Sequence, residues 1–247
     1  MRPRALYLVP DFSNPTGVTL GTEVRRELLH VAAEEGLLLL EDNPYGLFRA
    51  KGERQPTLKA LDTQQRVIYL GSLAKTCFPG ARVGFVVADQ RVENPEGPES
   101  LFADELSKIK SMLTVNTSPV SQAVAAGKLL EHNGSLLRAN AREIEVYRRN
   151  LTRLLDGLEQ RFTSVPGMQW NTPSGGFFVV VTVPFPADDT LLEHSARRHG
   201  VLWTPMSHFY DGNGGREELR LSCSLLTVEE IDEGLDRLAA VVTERIR

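Results

Sequence analysis

The chain is 247 residues long, with a formal net charge of -4 and a pI near 5.8. Its hydrophobic (41%) and charged (24%) fractions belong to ordinary globular proteins, long enough for one large domain or two smaller ones. An acidic balance without clustered Lys and Arg argues against a nucleic-acid partner, and no apolar run approaches the roughly 20 residues needed to span a bilayer. The stretch after Met1-Arg2-Pro3-Arg4 is too short for a secretory signal. Cys77 and Cys223 lie far apart, so no disulfide framework is expected, and a reducing cytoplasm is the expected location. The five His residues are scattered, with no second ligand at metal spacing, and no metal site is expected.

In chain order, Ala5 to Val9 is a short apolar strand that stops at Pro10. Asp11 to Gly21, rich in Asn, Pro, Thr and Gly, is a loop. Thr22 has the character of an N-cap, with helical spacing through Val24, Leu28, Val31 and Ala32 until Gly36 closes the helix. Leu37 to Leu40, Val67 to Leu70 and Val83 to Ala88 are further strands. Their nearly continuous apolar character predicts a sheet covered on both faces, hence an α/β fold. Pro95 to Pro98 reads as a polar turn, and Leu101 to Leu113 and Val120 to Leu130 as helices, with Ser118-Pro119 a helix start. A long amphipathic stretch runs from Leu136 to Phe162. Strand Phe177 to Val183, helix Thr190 to His199, strand Leu219 to Ser222 and a helix from Val228 to about Thr243 complete a smaller α+β region. The expected division is 1–133 and 134–247.

Polar clusters stand where successive strands end, which is where open α/β sheets bind ligands. The first is Ser13-Asn14-Pro15-Thr16-Gly17, the second Glu41-Asp42-Asn43-Pro44-Tyr45-Gly46, the third Gly71-Ser72-Leu73-Ala74-Lys75-Thr76 followed by Pro79-Gly80-Ala81-Arg82. Singly, each has a plain explanation: a turn tetrapeptide, a helix-capping carboxylate, a solvated lysine. Gly175-Gly176 reads as a close backbone approach at a strand start, not a phosphate loop.

Together, Asn14-Pro15-Thr16-Gly17, Asp42 with Tyr45 three residues on, and Ser72 with Lys75 and then Arg82 resemble the class I/II aminotransferases of pyridoxal-phosphate (PLP) fold type I. The spacing from Lys75 to Arg82 is similar to that of the aminoadipate, kynurenine and hydroxyphenylglycine-type transaminases of amino acid metabolism and biosynthesis. The resemblance extends to Pro173-Ser174-Gly175-Gly176-Phe177-Phe178 and Leu219-Arg220-Leu221-Ser222. It implies α/β architecture: a partial, mostly parallel large-domain sheet in 1–133, then a connecting helix and small α+β domain in 134–247. It implies transfer of an amino group between an α-amino acid and a 2-oxo acid, with Lys75 as the Schiff-base lysine. Asp42 is then the partner of the PLP ring nitrogen, Asn14 and Tyr45 of its phenolic oxygen, and Ser72 and Arg82 of its phosphate. Arg220, with Asn14, is the partner of the substrate carboxylate.

The family's Asn-Pro-Thr-Gly loop lies near mid-chain, whereas Asn14 is near the start here, so a preceding portion of the sheet and cofactor site is expected to be missing. Ser13 stands where Gln is common. A fragment of a longer enzyme, a split-enzyme half completed by a second chain, and a non-catalytic short form are the readings this leaves. The resemblance also implies a homodimer. Other PLP chemistry (lyase, decarboxylase, cyclase or oxidase) uses the same lysine and aspartate, and a ligand-sensing module is a further reading, against which the absence of a basic helical segment counts.

Overall fold

The computed structural model describes residues 2–93 and 97–246, and these form two compact units. The first comprises the chain up to Asp11, Leu20–Leu47 and Glu53–Ala141; the second comprises Phe12–Thr19, Phe48–Gly52 and the chain from Arg142 on. Among the described residues, no helix is long and apolar enough to cross a membrane.

In the first unit, strands β1 (Ala5–Leu8), β2 (Leu38–Asp42), β3 (Val67–Ser72) and β4 (Gly84–Val87) form one sheet in that order. β1, β2 and β3 run parallel, and β4 returns antiparallel to β3. Helix α1 (Thr22–Glu35) connects β1 to β2, and its C-cap Gly36 takes the left-handed conformation (φ 65°) that glycine adopts without a Cβ clash. The cap at the other end is Gly21, not Thr22; the Thr22 hydroxyl donates to Gln55 instead. Ala32 of α1 packs with Leu39, Val67 and Leu58, the last on the single turn α2 (Leu58–Leu61).

The opposite face is only partly covered. Leu6, Tyr7, Phe85, Val86 and Val87 are exposed, so the two-sided burial expected from strand composition is not met at β1 and β4. Composition records what a strand can bury, not what lies over it. Further on, β5 (Arg91–Val92) and β6 (Ser100–Leu101) pair as a short antiparallel ribbon. The polar turn expected at Pro95 to Pro98 between them falls partly outside the described residues. Helices α3 (Phe102–Thr114), α4 (Pro119–Glu131) and α5 (Leu136–Ala139) follow. α4 starts at Ser118 as expected, with the Ser118 hydroxyl accepting from the Ser121 N–H.

The second unit is built on the long helix α6 (Ala141–Phe162) and an antiparallel sheet. That sheet holds β7 (Gln169–Trp170), β8 (Phe178–Thr182), β10 (Glu218–Ser222) and β9 (Thr204–Pro205), in that order. Helix α7 (Asp189–His194) runs on into one π-helical turn, Ser195–His199, where a single α-helix was expected. Leu151, Leu154, Leu158 and Phe162 of α6 are buried, as are Ile231, Leu235 and Leu238 of the closing helix α8 (Val228–Arg245). A Cβ on Gly157 would come within 2.3 Å of Leu235, so glycine sets the approach of these helices.

Candidate active site

Parallel pairing puts the carboxyl ends of β1, β2 and β3 at one sheet edge, and two of the three sequence clusters lie there in the first unit. Asp42 ends β2 and Ser72 ends β3. Alternation along β2 separates the two neighbouring carboxylates. Glu41 points to the helix-covered face and is fully buried, accepting from the backbone N–H groups of Leu58 and Lys59 at 2.8 Å each. Burial pushes the Glu41 carboxyl up while those donors and Arg25 oppose the shift. Glu41 is thus a helix-capping carboxylate, and Asp42 faces the other way.

Tyr7 shares that open face. It pairs with Leu40, and the pleat then places Tyr7 and Asp42 on one side, where the phenol donates to Asp42 Oδ2 at 2.6 Å. The bond to Asp42, followed by partial burial, raises the Tyr7 phenol from 10.0 to about 12. In the sequence Tyr7 is one residue of an apolar strand; strand register is the signal that finds it. Beyond Asp42, the Asn43 side chain accepts from the Gly46 N–H at 2.9 Å, forming the turn that carries the buried Tyr45.

After β3, the Ser72 hydroxyl accepts from the Ala74 N–H at 3.3 Å and keeps its own proton to donate. Lys75 lies exposed in the turn that follows, with Cys77 N–H bonded back to the Leu73 carbonyl at 2.8 Å. A 3-10 turn, Pro79–Ala81, leads to Arg82, held in the left-handed region at φ 49°. The Ser72↔Gly84 pairing brings the segment beginning at Arg82 back to the end of β3. Lys75 and Arg82 make no hydrogen bond or ion pair among the described residues. An amine, a guanidinium, a hydroxyl, a phenol and an oriented carboxylate at one sheet edge fit a ligand with an aldehyde, a phosphate and a basic ring nitrogen.

Asn14 and Arg220 belong to the second unit. Asn14 precedes a cis peptide bond to Pro15, in a loop closed by the Gly17 N–H donating to the Ser13 carbonyl at 2.6 Å. Gly17 has φ 69°, and a Cβ there would lie 2.8 Å from the Phe178 carbonyl oxygen, so glycine lets the loop sit against β8. Arg220 on β10 donates to Asn14 Oδ1 and, at 3.1 Å, to the Thr204 hydroxyl. Its guanidinium lies over the rings of Phe178 (4.5 Å) and Phe209 (5.3 Å), which hold it flat. Thr204 and Phe209 carried no signal in the sequence. Gly175 and Gly176 make the close approach expected of them: a Cβ on Gly175 would meet the Phe12 ring at 2.5 Å and the Phe48 carbonyl at 2.6 Å.

A mostly parallel α/β sheet thus carries Lys75, Asp42 and Arg82 at its carboxyl edge. The chain belongs to the aminotransferase class I and II family, which residues 4–238 match. It is 58% identical over 246 residues to the (S)-3,5-dihydroxyphenylglycine transaminase of Amycolatopsis orientalis, covering 100% of this chain and 55% of that protein. Among solved structures, it is similar to the kynurenine aminotransferase of Pyrococcus horikoshii in complex with PMP (TM-score 0.85, 31% identity, 99% of this chain and 57% of that one). It is also similar to the α-aminoadipate aminotransferase LysN of Thermus thermophilus complexed with N-(5'-phosphopyridoxyl)-L-leucine (TM-score 0.85, 31% identity, 99% and 60%). The fold is fold type I of the PLP-dependent transferases, and the chain spans little more than half the length of these relatives.

Proposed function

We propose that the protein takes part in PLP-dependent transfer of an amino group between an α-amino acid and a 2-oxo acid. The observation that carries this reading is the grouping of Lys75 and Arg82, whose side chains have no hydrogen bond or ion pair among the described residues, with Asp42, itself held by Tyr7, at the carboxyl edge of the mostly parallel sheet. Lys75 would hold the cofactor covalently through Nζ and, once the substrate amine has displaced it and its bond to the cofactor is broken, the freed amine would move a proton at the substrate α-carbon. Asp42 would pair with the ring nitrogen and keep it protonated, Tyr45 and Asn14 would bond the ring's phenolic oxygen, and Ser72 and Arg82 would take the phosphate. PLP, when bound, supplies an electron sink for the pair left by the departing α-proton. Arg220, flattened between Thr204 and two aromatic rings, clamps the substrate α-carboxylate.

The 58% identity to a dihydroxyphenylglycine transaminase supports an aromatic or arylglycine-type amino acid as substrate, and a biosynthetic role is proposed with it. The working form is proposed to be a cytoplasmic homodimer. The part of the relatives' length outside the match completes the site, in the same polypeptide or as a second chain. Within this chain, 1–133 is proposed as the C-terminal part of the cofactor-binding large domain, and 134–247 as the connecting helix and small domain.

The test is the absorbance spectrum of the purified chain after incubation with PLP and dialysis, beside Lys75→Ala. A visible band present in the parent and lost in Lys75→Ala supports cofactor attachment, and amino transfer from dihydroxyphenylglycine to 2-oxoglutarate or pyruvate is then assayed. A band that survives Lys75→Ala sinks the assignment of that lysine.

A further inference from the structure

Away from the sheet edge, the second unit holds a cluster that the aminotransferase reading does not use. His194 ends α7, His199 ends the π-helical turn, and Glu244 lies on α8. In an α-helix, residues five apart point about 140° away from each other, which is why His194 and His199 do not read as a ligand pair in the sequence. The wider π turn removes most of that angle and sets the two imidazoles on one side, with ring centroids 5.7 Å apart.

Both Nε2 atoms face one carboxylate: His199 at 2.8 Å from Glu244 Oε2 and His194 at 3.2 Å from Oε1. The donor atoms all lie within 4.8 Å of one another. Ligands bound at 2.0–2.1 Å around a tetrahedral ion sit roughly 3.4 Å apart, so small side-chain rotations close the set. His194 Nε2 is shielded from solvent and has Glu244 Oε1 as its polar neighbour.

The support behind the cluster is rigid. The Ser195 hydroxyl is buried, donating to the Val201 carbonyl at 2.8 Å and accepting from Trp203 Nε1 at 3.1 Å. Arg237 donates to the carbonyl of Gly200, the left-handed residue that ends the turn, at 2.8 Å. The nearby Arg197 is paired with Glu193 at 2.6 Å, which offsets its repulsion of a cation.

We propose that His194, His199 and Glu244 bind a divalent transition ion of the zinc class, water completing the coordination, and that the ion clamps α8 to the π turn. This inference is independent of the chain's cofactor chemistry. The test is calorimetric titration of the full 247-residue chain with Zn2+, and thermal unfolding with and without Zn2+. The comparison variants are His194→Gln, His199→Gln and Glu244→Gln, which keep polar side chains of similar size, with His30→Gln as a control. One saturable equivalent is expected in the parent and in His30→Gln, with a higher unfolding temperature in Zn2+. Each cluster variant should bind at least tenfold more weakly while keeping the parent's circular dichroism. Binding that survives in the cluster variants, which would place the zinc at other His or Cys residues, overturns the proposal, as does a parent chain with no saturable binding.

Discussion

Tyr7 and Asp42 are joined by a single short bond on the open face of the sheet, and each side of it can be tested. The phenol's value in the fold, about 12, lies above its ordinary 10.0. Its contribution to stability is therefore complete below pH 10 and is lost as pH rises toward 12. Bonds to charged acceptors contribute about 1.5–3 kcal/mol, but Tyr7 is 56% exposed, which lowers the expected cost of Tyr7→Phe to about 1 kcal/mol. Urea unfolding at pH 8 checks that figure. The same change should weaken PLP binding about fivefold, because Asp42 loses the donor that orients it; unchanged affinity would show that Asp42 needs no such support. The two thiols should differ as sharply. Cys223 has no solvent exposure, and burial pushes its thiol to about 12, whereas Cys77 is half-buried. An aromatic disulfide reagent should titrate Cys77 quickly and Cys223 only on unfolding, since the thiolate is the reacting form.

Arg25 fixes how α1 is seated. It is fully buried, ion-paired to Asp11 at 2.8 Å, and it also donates to the carbonyls of Leu20 (2.9 Å), Pro56 (3.0 Å) and Pro10 (3.3 Å). Removing one partner of a buried pair strands the other charge, so Arg25→Ala should cost about 3–5 kcal/mol. Arg25→Lys should recover little, because an ammonium lacks the fork that reaches these acceptors; urea unfolding followed by circular dichroism measures both. At α8, the Thr227 hydroxyl accepts from the Glu230 N–H while the Glu230 carboxylate accepts from the Thr227 N–H. Thr227→Ala should therefore cost about 1 kcal/mol, read by the same method. Strands, principal helices and the three motif clusters were legible because apolar periodicity and turn chemistry are local. What stayed illegible depends on pairing. Arg25 reads as a surface charge until the loop carbonyls are folded around it. Tyr7 gains its meaning from register with β2, and the His194 and His199 rings align only because the helix widens to a π turn.

At the scale of the molecule, the first unit leaves several large apolar side chains exposed on α3 and α4 and at their junction. α3 repeats Phe102, Leu106, Ile109 and Leu113 at helical spacing, yet none of its residues is buried. Met112, Leu113, Val115, Val120 and Leu130 are each at least 74% exposed. An isolated helix of α3's 13 residues is marginal in water, and helices of that length depend on packing an apolar face. Contiguous exposed apolar surface marks an interaction site. It fits the proposed homodimer and the share of the relatives' length, 45% of the dihydroxyphenylglycine transaminase, that lies outside the match (100 less the 55% covered). The chain should therefore associate as its concentration rises, and Met112→Lys with Val120→Lys should shift sedimentation toward the monomer without altering secondary structure. Amide exchange gives the sharper measure: α3 should exchange rapidly in the dilute chain and slow markedly on association, while α6 and α8 stay protected throughout. Equal protection of α3 at every concentration would mean the helix stands without a partner, and the apolar face would need another explanation.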